Sequence, residues 1–474
     1  MKNIVRLASL ELSNIKNVRN GRIVMPNMHR KHLSYNNAEV LGLYGQNGSG
    51  KTAAIDALYF LQRIMLGDTL DERIVDYIDK ASDTAEIKAE FNVFIDDVTY
   101  EVQYLVCFER KENNVAIVRE YLGYYKNADG HRDKKAIALD FVRSNADASA
   151  SLRPQKRVRD IIEVREAHKT DLIVAIKMAE KSKCSYIFGE SGREIFVQDY
   201  SNDFGDGSLI VKALFWFAVR DLFVIRNSNA GAISAKLVLP MSFRIDDDDT
   251  GVKGEFAIPL HEPIVLAEER MEILEKIINQ INIVLINIIP GLKIEIFEHG
   301  AQIKDNGEKG WKIELMSARE GKLPIPIRME SDGIIKIISI LNALIQAFGN
   351  PSICLAVDEL DSGVFEYMLG EILDIFNKRA KGQLVFTSHN LRALEMLGKD
   401  CIMFSTANPD NRYIRMKNIK ATNNLRDMYL RGLTLGGQEE IIYEETDSLK
   451  IARAFRRAGD SSINEFEKGC SSNC

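Results

Sequence analysis

The chain has 474 residues, 46% of them hydrophobic and 27% charged, with a net charge of −6. That length fits two or three domains with a sizeable core, and the mild acidity excludes a surface that attracts nucleic acid throughout, though not a local basic face. The six cysteines (Cys107, Cys184, Cys354, Cys401, Cys470, Cys474) lack the paired spacing of a metal module and fit the reduced thiols of a cytoplasmic protein.

Residues 1–12 mix charge with short apolar pieces, so no secretory leader is expected there. No run reaches the ~18 apolar residues of a membrane span. The longest candidate, 277–290, is interrupted by Asn279, Gln280, Asn282 and Asn287 and reads as a buried helix.

Residues 4–25 alternate as strands do, with a turn-rich break at 14–21. The apolar run 41–44 reads as a strand and 53–66 as a helix. Runs 86–95 and 98–108 are strand-like and separated by Asp96-Asp97, a hairpin signal that 115–125 continues. From 148 to 183 the pattern turns helical and charged, and 211–224 is apolar and helix-like. Residues 246–249, four consecutive aspartates, read as a solvated acidic loop. A long helix is expected over 263–289, strands over 292–297 and 310–316, and a helix over 334–348. Then come a short buried strand at 353–357, a helix at 365–378, another buried strand at 383–386 and a helix start at 391–397.

Between the first apolar strand and its helix lies Gly45-Gln46-Asn47-Gly48-Ser49-Gly50-Lys51-Thr52. This is the strand–loop–helix setting of a phosphate-binding loop, in which glycines turn backbone N–H groups toward phosphates. Lys51 would reach the β- and γ-oxygens, and the Thr52 hydroxyl would ligate Mg²⁺. Far downstream, Ile353-Cys354-Leu355-Ala356-Val357-Asp358-Glu359 has the form of a strand that delivers a carboxylate to an Mg²⁺ shell. Glu359 would orient the attacking water. Leu360-Asp361-Ser362-Gly363 follows, and after the next strand Thr387-Ser388-His389 places an imidazole where it could bond a γ-phosphate.

These motifs, in this order and with this long insertion, resemble the ABC-type ATPase heads of SMC and RecF proteins. They also resemble the bacterial AAA-family ATPases of the overcoming-lysogenization-defect group. The resemblance implies an α/β fold: an ABC-type P-loop NTPase head with a mixed or antiparallel N-terminal β-subdomain and a helical inserted region. It divides the chain into an N-terminal lobe (1–130), a mainly helical insertion (131–290), a C-terminal lobe (291–420) and an extension with a flexible tail (421–474). It further implies ATP and Mg²⁺ as ligands, and a homodimer in which a signature serine reaches the partner's nucleotide. For that serine the better match is Glu330-Ser331-Asp332-Gly333 before a helix, with Ser331 as donor and Gly333 permitting close backbone approach. Leu433-Thr434-Leu435-Gly436-Gly437-Gln438 lies on the wrong side of Asp358 and is rejected. Asp361 resembles the residue that touches the opposite subunit. Gln155 and Gln198 both remain eligible as the glutamine that couples nucleotide to insertion.

Residues 390–474 are too few for the Toprim nuclease that related fused proteins carry, so an effector is expected as a separate protein, in the manner of phage-defence modules. Nucleic acid remains a candidate partner and a membrane does not. Arg157, Arg159, Arg165, Lys177, Lys181 and Lys183 are mostly interleaved with acids and read as a solvated face. The leading expectation is an ATP-hydrolysing switch that controls an effector or a nucleic-acid transaction. The alternatives are an ATP-stabilised scaffold with slow turnover and a DNA-repair ATPase. A nuclease built on 246–249 or on the glutamates from Glu268 to Glu275 is the weakest reading, because consecutive carboxylates point in different directions.

Overall fold

The computed structural model describes residues 3–28, 35–111, 114–128, 130–143, 152–153, 156, 166–199, 204–227, 237–245, 252–303, 307, 309–416, 424–435, 440–444 and 446–470. Gln155, the aspartates 246–249, Arg157, Arg159, Arg165 and residues 436–438 lie outside them.

The N-terminal strands form an antiparallel sheet. Its members include β1 (Ile4–Ile15), β2 (Val18–Val24), β4 (Thr84–Ile95), β5 (Val98–Lys111), β6 (Asn114–Ala128) and β8 (Ala136–Val142), paired in the order β2-β1-β4-β5-β6-β8. Alternation drives it: Tyr100, Val102, Tyr104, Val106 and Phe108 of β5 are buried, while the residues between them are half-buried. The expected break at 14–21 shrinks to the turn at Lys16-Asn17, where Asn14 and Lys16 adopt positive φ and let both strands run on.

The second sheet is the centre of the molecule. It runs β10 (Leu222–Ile225), β17 (Cys354–Val357), β18 (Gln383–Thr387), β3 (Glu39–Tyr44), β19 (Ile402–Ser405) and β20 (Tyr413–Ile414). All neighbours are parallel except the β19–β20 pair. Its strands read as unbroken apolar runs because both faces are covered. Leu41, Leu43, Cys354, Ala356, Val385 and Met403 pack with the antiparallel sheet and with helix α1 (Lys51–Met65). Val40, Tyr44, Leu355, Val357, Leu384, Phe386, Ile402 and Phe404 face the opposite way. There they join apolar residues of three helices, α4 (Glu268–Ile288), α5 (Asp332–Gly349) and α6 (Glu366–Arg379). Each such side chain contributes about 1.5–3 kcal/mol when fully buried. Among the described residues only α5 has the length and mean hydropathy (1.4) of a membrane span, and 67% of that window is buried inside the protein, as a core helix requires.

The span 131–290 is less helical than expected. It holds α2 (Glu166–Ser182), α3 (Asp206–Trp216) and α4, but also the antiparallel pair β11 (Val238–Ile245) and β12 (Val252–Pro259). The helix expected over 211–224 stops early: α3 ends at Trp216, a wide π turn covers Phe217–Asp221, and Leu222 opens β10, which pairs in parallel with β17. The insertion therefore contributes a strand of the central sheet. The helix expected over 263–289 begins at Glu268, after the strand β13 (Ile264–Leu266). Two C-terminal helices follow the last sheet strand, α7 (Leu425–Leu435) and α8 (Ser448–Cys470).

Candidate functional site at the carboxyl edge of the parallel sheet

In the parallel sheet the carboxyl ends of β3, β17 and β18 lie side by side, and a crevice beyond such ends is where α/β sheets hold ligands. β3 ends at Tyr44 and hands over to the glycine loop. Gly50 closes that loop as the N-cap of α1 with φ 89°, in the left-handed region. A side chain there would also meet Val18 Cγ2 at 2.8 Å, so glycine is required twice over. No side chain caps α1, and although Ala53 N donates to Gly50 O at 3.1 Å, the positive end of the helix dipole is left to face an anion.

The loop is braced from several sides. Ser49 Oγ donates to Gln46 O at 2.6 Å and also bonds Ser405 Oγ at the end of β19. Tyr413 OH donates to Gly50 O at 2.6 Å. Asn17, in the β1–β2 turn, donates to Gly48 O, and Gln46 Oε1 accepts from Glu444 N at 3.1 Å. Asn47 and Gly48 stay exposed. Lys51 is 7% exposed and folds back, its Nζ donating to Gly45 O (2.8 Å) and Gln46 O (3.0 Å). Burial lowers its ammonium to about 8, against the opposing pull of Asp358, Glu359 and Asp361.

β17 brings Asp358 to this loop from the far end of the sequence. Its Oδ1 accepts from Thr387 Oγ1 at 2.6 Å and lies 3.4 Å from Thr52 Oγ1. Its Oδ2 is buried and has no hydrogen-bond partner among the described residues. A hydroxyl beside a carboxylate with a free buried oxygen is a donor set that fits a hard divalent cation, and Thr52 and Asp358 are the residues that would hold Mg²⁺. No group of three or more His, Cys, Asp or Glu among the described residues forms a metal cluster, so phosphates and water would have to complete such a shell.

Glu359 stands next, half-buried, in the left-handed region at φ 49°. Its N–H donates to Thr387 Oγ1 at 2.7 Å, and its carbonyl accepts from Lys336 Nζ. Asp361 Oδ2 accepts from His389 N at 3.0 Å, while its Oδ1 is buried without a partner among the described residues. The exposed His389 imidazole is held below its ordinary value by partial desolvation and by the Lys51 charge, against Asp361, Glu359 and Asp358.

The structure thus brings together Gly45–Thr52 of the loop motif with Asp358, Glu359, Asp361 and His389. Ser331 is placed differently. It caps α5, accepting from Ile334 N at 3.4 Å, and its side chain is exposed. The close approach expected at Gly333 is to its own chain: a Cβ there would sit 1.8 Å from Gly363 O. Gln198 lies in the helical turn Glu194–Asp199. The strand beside β17 instead delivers Arg226, since Asp358 N donates to Ile225 O at 2.9 Å. Arg226 Nε pairs with Asp56 of α1 at 2.8 Å.

Thr387, Lys336, Ser405 and Arg226 are the residues that sequence reasoning missed. Lys336 alone carried a signal, as a single cation in an apolar helix.

No family model and no curated protein matches the chain. Among solved structures it is similar to an Smc head bound to the C-winged helix domain of ScpA (14% identity, TM-score 0.39, 88% of this chain and 98% of that one). It is also similar to the Pyrococcus furiosus Smc head with an extended coiled coil (12%, 0.40, 87% and 96%) and to the Thermotoga maritima SMC head (11%, 0.34, 87% and 99%). Scores this low leave the fold to be judged from the topology itself.

Proposed function

We propose that the carboxyl edge of the parallel sheet binds ATP with Mg²⁺ and hydrolyses it, and that two copies of the chain close around the nucleotide. The observation that carries this is the convergence of Lys51 and Thr52 with Asp358, whose buried Oδ2 lacks a partner. The loop amides and Lys51 would hold the phosphates, and Lys51 would leave its two loop carbonyls to do so. Mg²⁺, when bound at Thr52 and Asp358, would supply charge for the phosphate oxygens. Glu359 would orient the attacking water and accept its proton, and His389 would donate to the γ-phosphate. Asp361 fixes the backbone of His389. Ser331, exposed at the start of α5, is free to meet the partner's nucleotide.

The output would be control of a separately encoded effector or of a nucleic-acid transaction, in phage defence or in repair. That part of the proposal rests on the sequence resemblance alone.

Steady-state ATP hydrolysis with and without DNA tests the proposal. Magnesium-dependent turnover that disappears in Glu359→Gln, while ATP binding and ATP-driven association persist, is the expected result. Turnover unchanged by that substitution would remove Glu359 from the mechanism. Very slow turnover with a stable ATP-bound oligomer would favour the scaffold alternative, and strong stimulation by DNA the repair alternative.

A further inference from the structure

Lys336 is the one cation in the sequence of α5 and is 5% exposed. An ammonium so buried is costly unless it is bonded. Among the described residues its Nζ has a single acceptor, the backbone carbonyl of Glu359. Glu359 in turn sits at φ 49°, a left-handed conformation that L side chains rarely adopt. Both peptide groups flanking its Cα are held: the N–H by Thr387 Oγ1 at 2.7 Å, the C=O by Ser362 N at 3.0 Å within the turn and by Lys336 from α5. Holding both peptide groups fixes the direction of the Cα–Cβ bond and so narrows the positions that the carboxylate reaches through its side-chain rotamers.

The same helix is joined to this turn a second time. Gly333, three residues before Lys336, lies directly against Gly363 at the end of the turn that starts with Asp358. The turn from Asp358 to Gly363 and the first two turns of α5 therefore form one packed unit. Ser331, the N-cap, is its solvent-facing tip.

We infer that Lys336 is a positioning residue that couples whatever engages Ser331 to the aim of the Glu359 carboxylate. This inference rests on the function proposed above. A phosphate group of a second copy's nucleotide that contacts Ser331 would load α5, and the helix would pass that load to the Glu359 carbonyl through Lys336. Without the ammonium, the turn at Glu359 would keep its Thr387 and Ser362 bonds but lose the hydrogen bond that ties Glu359 to α5, so that it could shift relative to the helix. Hydrolysis would then no longer follow closure of the dimer, although nucleotide binding, which uses the glycine loop, would remain.

The test uses the full chain and ATP with Mg²⁺. Lys336→Met keeps the volume and removes the donor, and Lys336→Arg keeps a donor. Lys336→Met is expected to lower kcat by about 10–100-fold with KM and ATP affinity changed by less than about twofold, and to leave ATP-driven association and the melting temperature intact. Lys336→Arg is expected to recover part of the lost kcat. In a cycle with Ser331→Ala, the double variant should lose little more than the worse single one. A merely structural role would lower melting temperature and spoil binding and kcat together, which would overturn the inference. Unchanged kcat in Lys336→Met, or strictly additive losses with Ser331→Ala, would also overturn it while leaving the ATPase proposal standing. No hydrolysis by the unaltered protein would remove both.

Discussion

The two edges of the parallel sheet are built on opposite principles. At the amino edge, Arg6 of β1 donates to Glu39 Oε2 (2.8 and 2.9 Å) and to four backbone carbonyls, those of Tyr35, Asn37, Pro351 and Lys381. Gln383 of β18 donates to Glu39 Oε2 at 2.7 Å and exchanges two 2.8 Å bonds with the Leu7 backbone. Glu39 Oε1 accepts from Asn27 N at 3.1 Å. Every charge there is answered, and the network staples the antiparallel sheet to β3 and β18. At the carboxyl edge, polar groups are equally buried but left incomplete: Asp358 Oδ2 and Asp361 Oδ1 lack partners among the described residues, and Glu359 keeps a costly φ. One edge holds the fold together, and the other stores unsatisfied chemistry for a ligand.

That contrast can be broken by experiment. The largest expected effect is on turnover: Glu359→Gln should lower kcat by about 10²–10⁴-fold, the range of a lost acid–base group, with a melting temperature equal to that of the unaltered protein. Steady-state kinetics and a thermal melt check both halves. At the opposite edge, Glu39→Gln should leave Arg6 buried beside a neutral amide and cost about 3–5 kcal/mol in urea unfolding. A loss under about 1 kcal/mol would show that the amino edge is not the staple described. Asp358→Asn should abolish the magnesium dependence of nucleotide binding. It should also leave unfolding free energy unchanged or raised by about 1 kcal/mol, because a buried carboxylate with an orphan oxygen is replaced by a neutral group.

The smallest effect concerns a third buried carboxylate, and it sharpens the comparison. Glu120 of β6 is 0% exposed and accepts from Tyr104 OH (2.6 Å), Ser185 Oγ (2.7 Å) and Tyr186 N (2.6 Å). Burial raises its carboxyl above the ordinary value, and those bonds pull it down. A raised folded-state value means that its contribution is complete below the unfolded value of 4.5 and fades as pH rises through the folded one. The stability difference between the unaltered protein and Glu120→Gln should therefore narrow as pH rises from 4.5 through the folded value, in melts run from pH 4 to 8. A difference that widens with pH would reverse the sign argued here.

The glycine loop and the strands ending at Val357 and Thr387 were legible in the sequence, because phosphate-loop chemistry and two-faced burial leave short local signatures. β10 was not. The run from Val211 to Val224 is mostly apolar, broken by Lys212, Arg220 and Asp221, and only pairing with β17 decides that its end becomes strand. Glu120 was hidden for a related reason, since an acid in an alternating strand reads as solvent-facing until Tyr104 and Ser185 are seen to close over it. The sequence marks Gly333 as room for a close approach, but nothing local says that the approaching backbone is Gly363. Lys336 and Glu359 are linked across the fold, where no motif reaches.

The most direct test of the central claim is titration calorimetry of ATP in the presence and absence of Mg²⁺, on the unaltered protein and on Lys51→Ala. The account predicts binding that Mg²⁺ strengthens and that falls by at least about tenfold when Lys51 is removed, with an unchanged melting temperature. Equal affinities in the two proteins, or no binding to either, would contradict it.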